Sequence, residues 1–243
     1  MIKEGDIYDR DSLRTNHNHE FMNDPNFQAA YARGVQASRD FGWEWRVHTG
    51  LWAASCASRL EGDFVECGVG RGFLSSAIMN YLDWDSTGRL FFLLDTFSGL
   101  DERYVTPLEI AEGALEWNRR RLDQGIYPSS ADSVIRNFAE WKNTRIVVGS
   151  IPETLHQITA KKIAYLHLDM NCAPPEIAAI TELWDRLVPG APVLLDDYAY
   201  HGYRQQKLAM DKFASGKMVE ILSLPSISPQ FPPFKTVWVT CNK

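Results

Sequence analysis

The sequence predicts an α/β fold in which helices cover both faces of a mainly parallel β-sheet. Short, continuously apolar segments recur along the chain, and most are separated by segments with helical periodicity. Strands that are apolar throughout are typical of parallel sheets buried on both faces. The last two apolar segments have no room for a helix between them, so we expect an antiparallel pair at one end of the sheet.

The predicted elements divide the chain into two parts. Residues 1–25 are polar without a clear period, and residues 26–60 carry apolar side chains at helical spacing, which predicts two or more helices. We therefore expect an N-terminal tail and helical cap over residues 1–60 and one α/β domain over residues 61–243. The apolar segments of this domain predict five parallel strands and a final pair: 63–67, 90–94, 145–148, 163–168, 192–195, 219–224 and 235–240.

The composition excludes several classes of protein. Of 243 residues, 45% are hydrophobic and 23% are charged, which indicates a globular protein rather than a disordered one. With 25 basic and 31 acidic residues the net charge is −6, so we expect no nucleic-acid partner. No apolar run could span a bilayer, and the polar first 20 residues do not resemble a secretory signal. Four cysteines without a CxxC pair predict free thiols in a cytoplasmic protein.

Carboxylates lie at the ends of four of the five parallel strands. In an open parallel sheet, ligands bind beyond the carboxyl ends of the strands, so these side chains are candidate binding groups. The third strand ends instead at Gly149 and Ser150. The strand-end carboxylates are Glu66, Asp95, Asp169, Asp196 and Asp197.

A glycine-rich turn follows the first of these strands, with the sequence ECGVGRG over residues 66–72. It departs from the GxGxxG pattern of dinucleotide-binding proteins because Phe73 occupies the last glycine position. An acidic residue before the glycines repels a pyrophosphate but suits a cationic ligand. S-adenosylmethionine carries a sulfonium and an ammonium group, and Asp95 can accept hydrogen bonds from its ribose. A turn without a ligand and a dinucleotide-dependent oxidoreductase are the alternatives.

Three of the strand-end carboxylates are expected to converge. Asp169 and the pair Asp196–Asp197 are separated by one strand-helix-strand unit, and adjacent strands lie about 4.8 Å apart. Carboxylates this close are unfavourable unless a cation offsets their charge, and Mg²⁺ prefers oxygen ligands. The trio therefore predicts a metal site. Capping of the following helices is the alternative for one or two of these residues.

Five segments in this order resemble class I S-adenosylmethionine-dependent methyltransferases: FVECGVGRGFLS, FFLLDTFSGL, IVVGSIPETL, YLHLDMN and LVPGAPVLLDDY. The resemblance is greatest to the macrocin/mycinamicin/novobiocin family of sugar O-methyltransferases and covers about residues 61–214. It implies a Rossmann-like, seven-stranded sheet whose last strand is antiparallel. It also implies Mg²⁺-dependent methylation of a hydroxyl on a sugar or glycosylated small molecule in antibiotic or polysaccharide biosynthesis, by a possible homodimer.

The resemblance also implies roles for individual residues. The implied metal ligands are Asp169, Asp196 and Asp197. The residues implied to bind S-adenosylmethionine are Glu66, Gly68, Val69, Gly70, Gly72, Asp95, Thr96, Phe97, Ser98, Gly149, Ser150 and Asp169.

Two features depart from the family. Its late TGQG-like turn, at the substrate edge of the pocket, is replaced here by SISPQFPP over residues 226–233. Several members carry an aspartate proposed as general base where this chain has Asn171, whose amide cannot take a proton. We expect the proton to go to Asp169 assisted by the metal, or to a histidine, with His201 nearer the site than His167. Asp169, Asn171 and His201 are thus the candidate catalytic residues, and we expect His167 to be a packed, hydrogen-bonded side chain.

Two other functions fit the same motifs. A catechol-like diol could replace the sugar as acceptor, because any vicinal diol can chelate the metal. Asn171 also leaves open a cofactor-binding protein without turnover. Outside the motifs, the run Arg119–Arg121 predicts a solvated helix face.

Overall fold

In the part of the chain that the structure describes, a six-stranded β-sheet is flanked by helices, and a two-stranded hairpin precedes it in the sequence. The computed structural model describes residues 3, 5–11, 13–223 and, for the backbone alone, 236–239. The strands are β1 (Tyr8–Arg10), β2 (Leu13–Thr15), β3 (Asp63–Cys67), β4 (Phe91–Asp95), β5 (Thr144–Val148), β6 (Ile163–Leu168), β7 (Pro192–Leu195) and β8 (Thr236–Val239). The helices are α1 (Pro25–Ala37), α2 (Glu44–Ala57), α3 (Phe73–Tyr81), α4 (Pro107–Ala111), α5 (Ala114–Asp123), α6 (Asp132–Phe138), α7 (Ala173–Leu183) and α8 (Arg204–Lys217).

Six strands form the main sheet, in the order β5-β4-β3-β6-β7-β8. The first five are parallel and β8 pairs antiparallel with β7, as the chain order predicts. The predicted count of seven is not reached in the described part of the chain, because residues 219–223 form no strand. Val219 and Ile221 instead pack their side chains on the core. The remainder of the predicted strands (residues 224, 235 and 240) and the segment 226–233 at the expected substrate edge lie outside the described residues.

Two apolar layers bury the two faces of the sheet, because successive side chains of a strand point to opposite faces. On β3, Phe64 packs in a layer with α1, α2 and α3, whereas its neighbour Val65 packs in a layer with α7 and α8. Of the helices in the described residues, none is long and apolar enough to cross a membrane.

The N-terminal residues are more ordered than the lack of periodicity predicts. β1 and β2 form an antiparallel hairpin, and the side chains of Tyr8 and His19 are buried. Asp24 then caps α1 by accepting a hydrogen bond from the backbone N–H of Asn26 (2.8 Å). The predicted helices of residues 26–60 are confirmed as α1 and α2.

Candidate functional site

The glycine turn after β3 is held by the carboxylate of Asp95, at the end of β4. Asp95 Oδ2 accepts hydrogen bonds from the backbone N–H groups of Val69 (2.7 Å) and Gly70 (2.8 Å). Its Oδ1 accepts one from Phe97 N–H (2.6 Å), so one side chain joins two loops. Burial raises the pKa of Asp95, and these backbone donors oppose the rise.

Gly68 lies in close contact with the neighbouring strand end. Its φ is +90°, and a Cβ atom built on it would lie 1.8 Å from the carbonyl oxygen of Asp169. The first turn therefore requires glycine here to bring β3 next to the end of β6.

One cavity extends over the carboxyl ends of β3–β6. Most of the residues predicted for the cofactor line it: Glu66, Gly68, Val69, Gly70, Asp95, Thr96, Gly149, Ser150 and Asp169. Asp196 lines it as well, so the glycine turn and part of the aspartate trio share one space.

Three residues predicted for the cofactor do not line this cavity. Gly72 precedes α3 and faces Phe138, to which a Cβ atom would come within 2.5 Å. The side chain of Phe97 is fully buried in the core, and Ser98 is exposed. The structure thus places Gly72 and Phe97 in packing positions next to the motif rather than in the cavity wall.

Asp101 lines the cavity and is missing from the sequence-based set. It accepts hydrogen bonds from the guanidinium of Arg103 and from Ser150 Oγ, and both lower the pKa of its carboxyl group. Its place directly after the FFLLDTFSGL segment is the sequence signal that points to it.

His167 also lines the cavity and pairs with Glu66 across β3 and β6. Its Nδ1 lies 2.6 Å from Glu66 Oε1, and both side chains are buried. The expectation of a packed, hydrogen-bonded histidine is confirmed.

The three aspartates converge as the strand order predicts. Asp169 follows β6 and Asp196–Asp197 follow β7, and one ligand oxygen from each lies within 4.8 Å of the others. Burial and the neighbouring Asp196 raise the pKa of Asp197 to about 7. The donor set is three carboxylates, which suits a hard divalent cation such as Mg²⁺.

Arg46 of α2 is a buried cation at this cluster that the sequence did not reveal. Its Nη1 donates to Asp196 Oδ2 (3.0 Å), and its Nε donates to Asp11 Oδ2 (3.4 Å) in the N-terminal hairpin. The guanidinium also lies over the ring of Trp43 (4.6 Å to the centroid). Burial alone would lower the pKa of Arg46, but Asp11 and the three clustered aspartates raise it.

Arg121 of α5 reaches the same region through Asn171. Its Nη1 donates to Asn171 Oδ1 (2.9 Å), and Asn171 Nδ2 donates to Asp169 Oδ1 (3.0 Å). Because arginine can only donate, the amide oxygen of Asn171 must face it and the NH₂ group must face Asp169. The prediction that Arg119–Arg121 form a solvated face is wrong for Arg121, whose side chain the fold buries against this network.

His201 lies apart from the aspartate cluster. It is exposed and lines a second cavity, which it shares with Asn171, whereas the cavity beside the glycine turn is not lined by it. Of the candidate catalytic residues, Asp169 and Asn171 therefore share the cavity beside the glycine turn, whereas His201 shares only the second cavity with Asn171.

The family of the chain follows from comparison with known proteins. The model of the macrocin-O-methyltransferase (TylF) family matches residues 51–221, which include the glycine turn, Asp95 and all three aspartates. The chain belongs to the macrocin-O-methyltransferase (TylF) family.

Two curated relatives resemble this TylF-family chain. Mycinamicin III 3''-O-methyltransferase of Micromonospora griseorubida is 26% identical over 60% of this chain and 62% of the relative. An 8-demethyl-8-(2,3-dimethoxy-alpha-L-rhamnosyl)-tetracenomycin-C 4'-O-methyltransferase of Streptomyces olivaceus is 27% identical over 61% and 57%. The chain thus spans less than two thirds of the length of either relative.

Solved structures share the fold of this TylF-family chain. The O-methyltransferase NovP superposes with a TM-score of 0.66 at 20% identity, over 81% of this chain and 80% of NovP. CalS11, a calicheamicin methyltransferase, gives 0.56 at 15% identity over 98% and 99%. The predicted α/β fold class is confirmed.

Proposed function

We propose that this TylF-family chain transfers a methyl group from S-adenosylmethionine to a hydroxyl of a sugar or glycosylated small molecule, with the help of Mg²⁺. The observation that carries the proposal is one cavity that is lined both by Gly68 and Asp95, where the cofactor would bind, and by Asp169 and Asp196, where the metal would bind. Because Gly68 and Asp169 are in close contact, a methyl donor and an acceptor held there would lie side by side, as group transfer requires.

The cofactor end of the cavity fits S-adenosylmethionine in shape and charge. Gly68 and Gly70 expose backbone without side chains, and Asp95 offers carboxylate lone pairs beyond those that hold the turn. Glu66 and Asp101 add acidic groups along the wall, which favours a ligand that carries positive charge. Ser150 and Gly149 line the side next to β5.

The metal end fits a hard divalent ion. We assign Asp169, Asp196 and Asp197 as its ligands, because their oxygens converge and Mg²⁺ prefers carboxylates. When bound, S-adenosylmethionine supplies the electrophilic methyl group and the divalent ion supplies positive charge that acidifies an acceptor hydroxyl.

Side chains of the protein accept the hydroxyl proton and position the metal ligands. We assign the hydroxyl proton to the carboxylate of Asp169, because Asn171 has no basic atom and His201 lies in the other cavity. Asn171 holds Asp169 by donating to its Oδ1, and Arg46 holds Asp196 by donating to its Oδ2. His167 is engaged with Glu66 and has a structural role in this scheme.

Both relatives are named as O-methyltransferases, and the name of the tetracenomycin enzyme includes a rhamnosyl group. This supports a sugar-type acceptor in antibiotic or polysaccharide biosynthesis. Two further expectations, a cytoplasmic location and a homodimer, remain predictions that cell fractionation and light scattering would check.

Calorimetric titration with S-adenosylhomocysteine and electron paramagnetic resonance with Mn²⁺ test the two halves of the proposal separately. Methyl transfer would then be assayed on sugar nucleotides, glycosides and catechols. We expect Asp196→Asn to lower Mn²⁺ affinity and turnover by about 100-fold, with binding of S-adenosylhomocysteine within about threefold of the original. Asp123→Asn, an exposed aspartate on α5, is the matched control.

The proposal fails if S-adenosylhomocysteine does not bind. Methylation of catechols but not of sugars would assign the acceptor to the other class of diol. Tight cofactor binding without methylation of any acceptor in the panel would favour a binding protein without turnover.

A further inference from the structure

A second cavity lies beside the cofactor cavity, between α5 and residues 200–206. Three residues line both cavities: Leu100, Tyr127 and Asn171. Because Asn171 donates to Asp169, the second cavity begins one side chain away from the aspartate cluster. An acceptor that presents a hydroxyl at the cluster can therefore extend its distal part into this space.

One face of α5 forms the wall of the second cavity. Trp117 and Arg121 are four residues apart and so lie on the same side of the helix. Trp117 is 50% exposed although it is a large aromatic side chain. The guanidinium of Arg120 lies over one face of its ring (5.6 Å to the centroid), so the opposite face is the one against which the C–H face of a sugar can pack.

Arg121 is preorganised for binding, because its side chain is 8% exposed and is held in one orientation by hydrogen bonds. Its Nη1 donates to the hydroxyls of Tyr127 (2.8 Å) and Tyr203 (2.8 Å) and to Asn171 Oδ1. Across the part of the chain that the structure describes, its Nε and Nη2 make no hydrogen bond to protein. The remaining N–H groups of a guanidinium form a fork that matches a carboxylate or a phosphate.

The acidic side chains of this cavity are already engaged within the protein. Glu109 accepts hydrogen bonds from Thr106 and from the backbone N–H of Ala173 (2.6 Å), and Glu112 accepts one from Gln205 Nε2 (2.8 Å). Among the described residues, Arg121 is the one lysine or arginine that lines the cavity. An anion in this cavity would thus meet one oriented cation and two carboxylates that already accept hydrogen bonds.

We propose that the second cavity binds an anionic group, a carboxylate or a phosphate, carried by the acceptor, with Arg121 as its ligand and Trp117 packed against the adjoining ring. This inference rests on the proposed function, because it extends the acceptor site of the same reaction. In this proposal, Arg121 makes the enzyme prefer anionic sugars to neutral ones.

Titration of the full chain, saturated with S-adenosylhomocysteine, tests the proposal by saturation-transfer NMR with three probes. These are methyl glucoside, glucuronic acid and glucose 6-phosphate, which are neutral, carboxylated and phosphorylated. We expect one or both anionic sugars to bind at least about tenfold more tightly than the neutral one. Which of the two binds identifies the anion as a carboxylate or a phosphate.

Arg121→Met should abolish the preference for the anionic probe, and Arg119→Met should retain it. Arg119 is the matched control because it is an exposed arginine on the same helix that does not line the cavity. If circular dichroism shows that Arg121→Met does not fold, Arg121→Lys should lower the preference by removing the fork while keeping the charge. Trp117→Ala should lower the affinity for each probe that binds, and by a similar factor for all of them.

Equal affinity for the three probes, or binding of no anionic probe, would overturn the inference. So would a preference that survives in Arg121→Met or is unchanged in Arg121→Lys. Failure of the proposed function is distinguishable, because it would show as a lack of saturation by S-adenosylhomocysteine before any sugar is added.

Discussion

The glycine turn and the aspartate cluster occupy the same end of one sheet but are stabilised in different ways. The turn is held by backbone donors within about one strand-helix-strand unit, from Val69 and Gly70 to Asp95. The cluster is held by guanidinium groups from remote helices, with Arg46 on Asp196 and Arg121 acting on Asp169 through Asn171.

The difference follows from charge. The glycine turn surrounds a single carboxylate, Asp95, with backbone N–H groups that partly offset the cost of its burial. Three converging carboxylates repel one another, so positive charges nearby are needed for all three to stay ionised in a buried place. We therefore expect substitutions in the glycine turn to destabilise the protein by distorting the backbone. Substitutions around the aspartate cluster should destabilise it by removing positive charge.

The largest loss of stability is expected at the contact between the glycine turn and the aspartate cluster. Gly68→Ala should lower the free energy of unfolding by about 4 kcal/mol or more, because its Cβ would lie 1.8 Å from the Asp169 carbonyl oxygen. Binding of S-adenosylhomocysteine should be lost with it. Urea denaturation followed by circular dichroism measures the stability.

Gly70→Ala is the matched control within the same turn. A Cβ atom there would meet nothing within 4 Å, so only the positive φ of 55° is unfavourable, at about 1 kcal/mol. Equal losses for the two variants would show that the contact with Asp169 is unimportant.

A smaller effect is expected when the charge balance of the cluster is changed. Arg46→Met should lower the free energy of unfolding by about 3 kcal/mol, because the buried Asp196 and Asp11 lose their guanidinium. Saturating Mn²⁺ should recover part of this loss, since a cation bound to Asp196 replaces some of the missing charge.

Thermal unfolding with and without Mn²⁺ measures this recovery. Lys162→Met, which breaks the exposed pair with Glu61, is the control and should leave the melting temperature nearly unchanged. A melting temperature of Arg46→Met that Mn²⁺ does not raise more than that of the original chain would contradict the charge-balance explanation.

The smallest effect is expected at Asn171. Asn171→Ala removes the donor that orients Asp169, so Mn²⁺ affinity should fall about tenfold while binding of S-adenosylhomocysteine stays the same. Electron paramagnetic resonance gives the Mn²⁺ affinity, and Asn80→Ala on the exposed side of α3 is the control. Unchanged Mn²⁺ affinity would mean that Asp169 is held without its amide neighbour.

The residues at the strand ends were predictable, because parallel strands bring their carboxyl ends to the same edge of a sheet. Glu66, Asp95 and Asp169 could be assigned to this edge from their positions after apolar segments. The positions of Arg46 and Arg121 could not be predicted in this way. Arg46 lies 150 residues from Asp196, and Arg121 lies 50 residues from Asn171. No local periodicity relates a helix residue to a strand end at such distances.

The sequence by itself determined the α/β class, the glycine turn and the convergence of the three aspartates, since each depends on local pattern and strand order. Only the tertiary structure decided how the charges of the aspartates are offset and which predicted residues line the cavity. It also decided that Asp11 of the N-terminal hairpin reaches Arg46. The physical reason is that a buried charge takes its partner from whichever helix or loop the packing brings next to it, however distant in sequence.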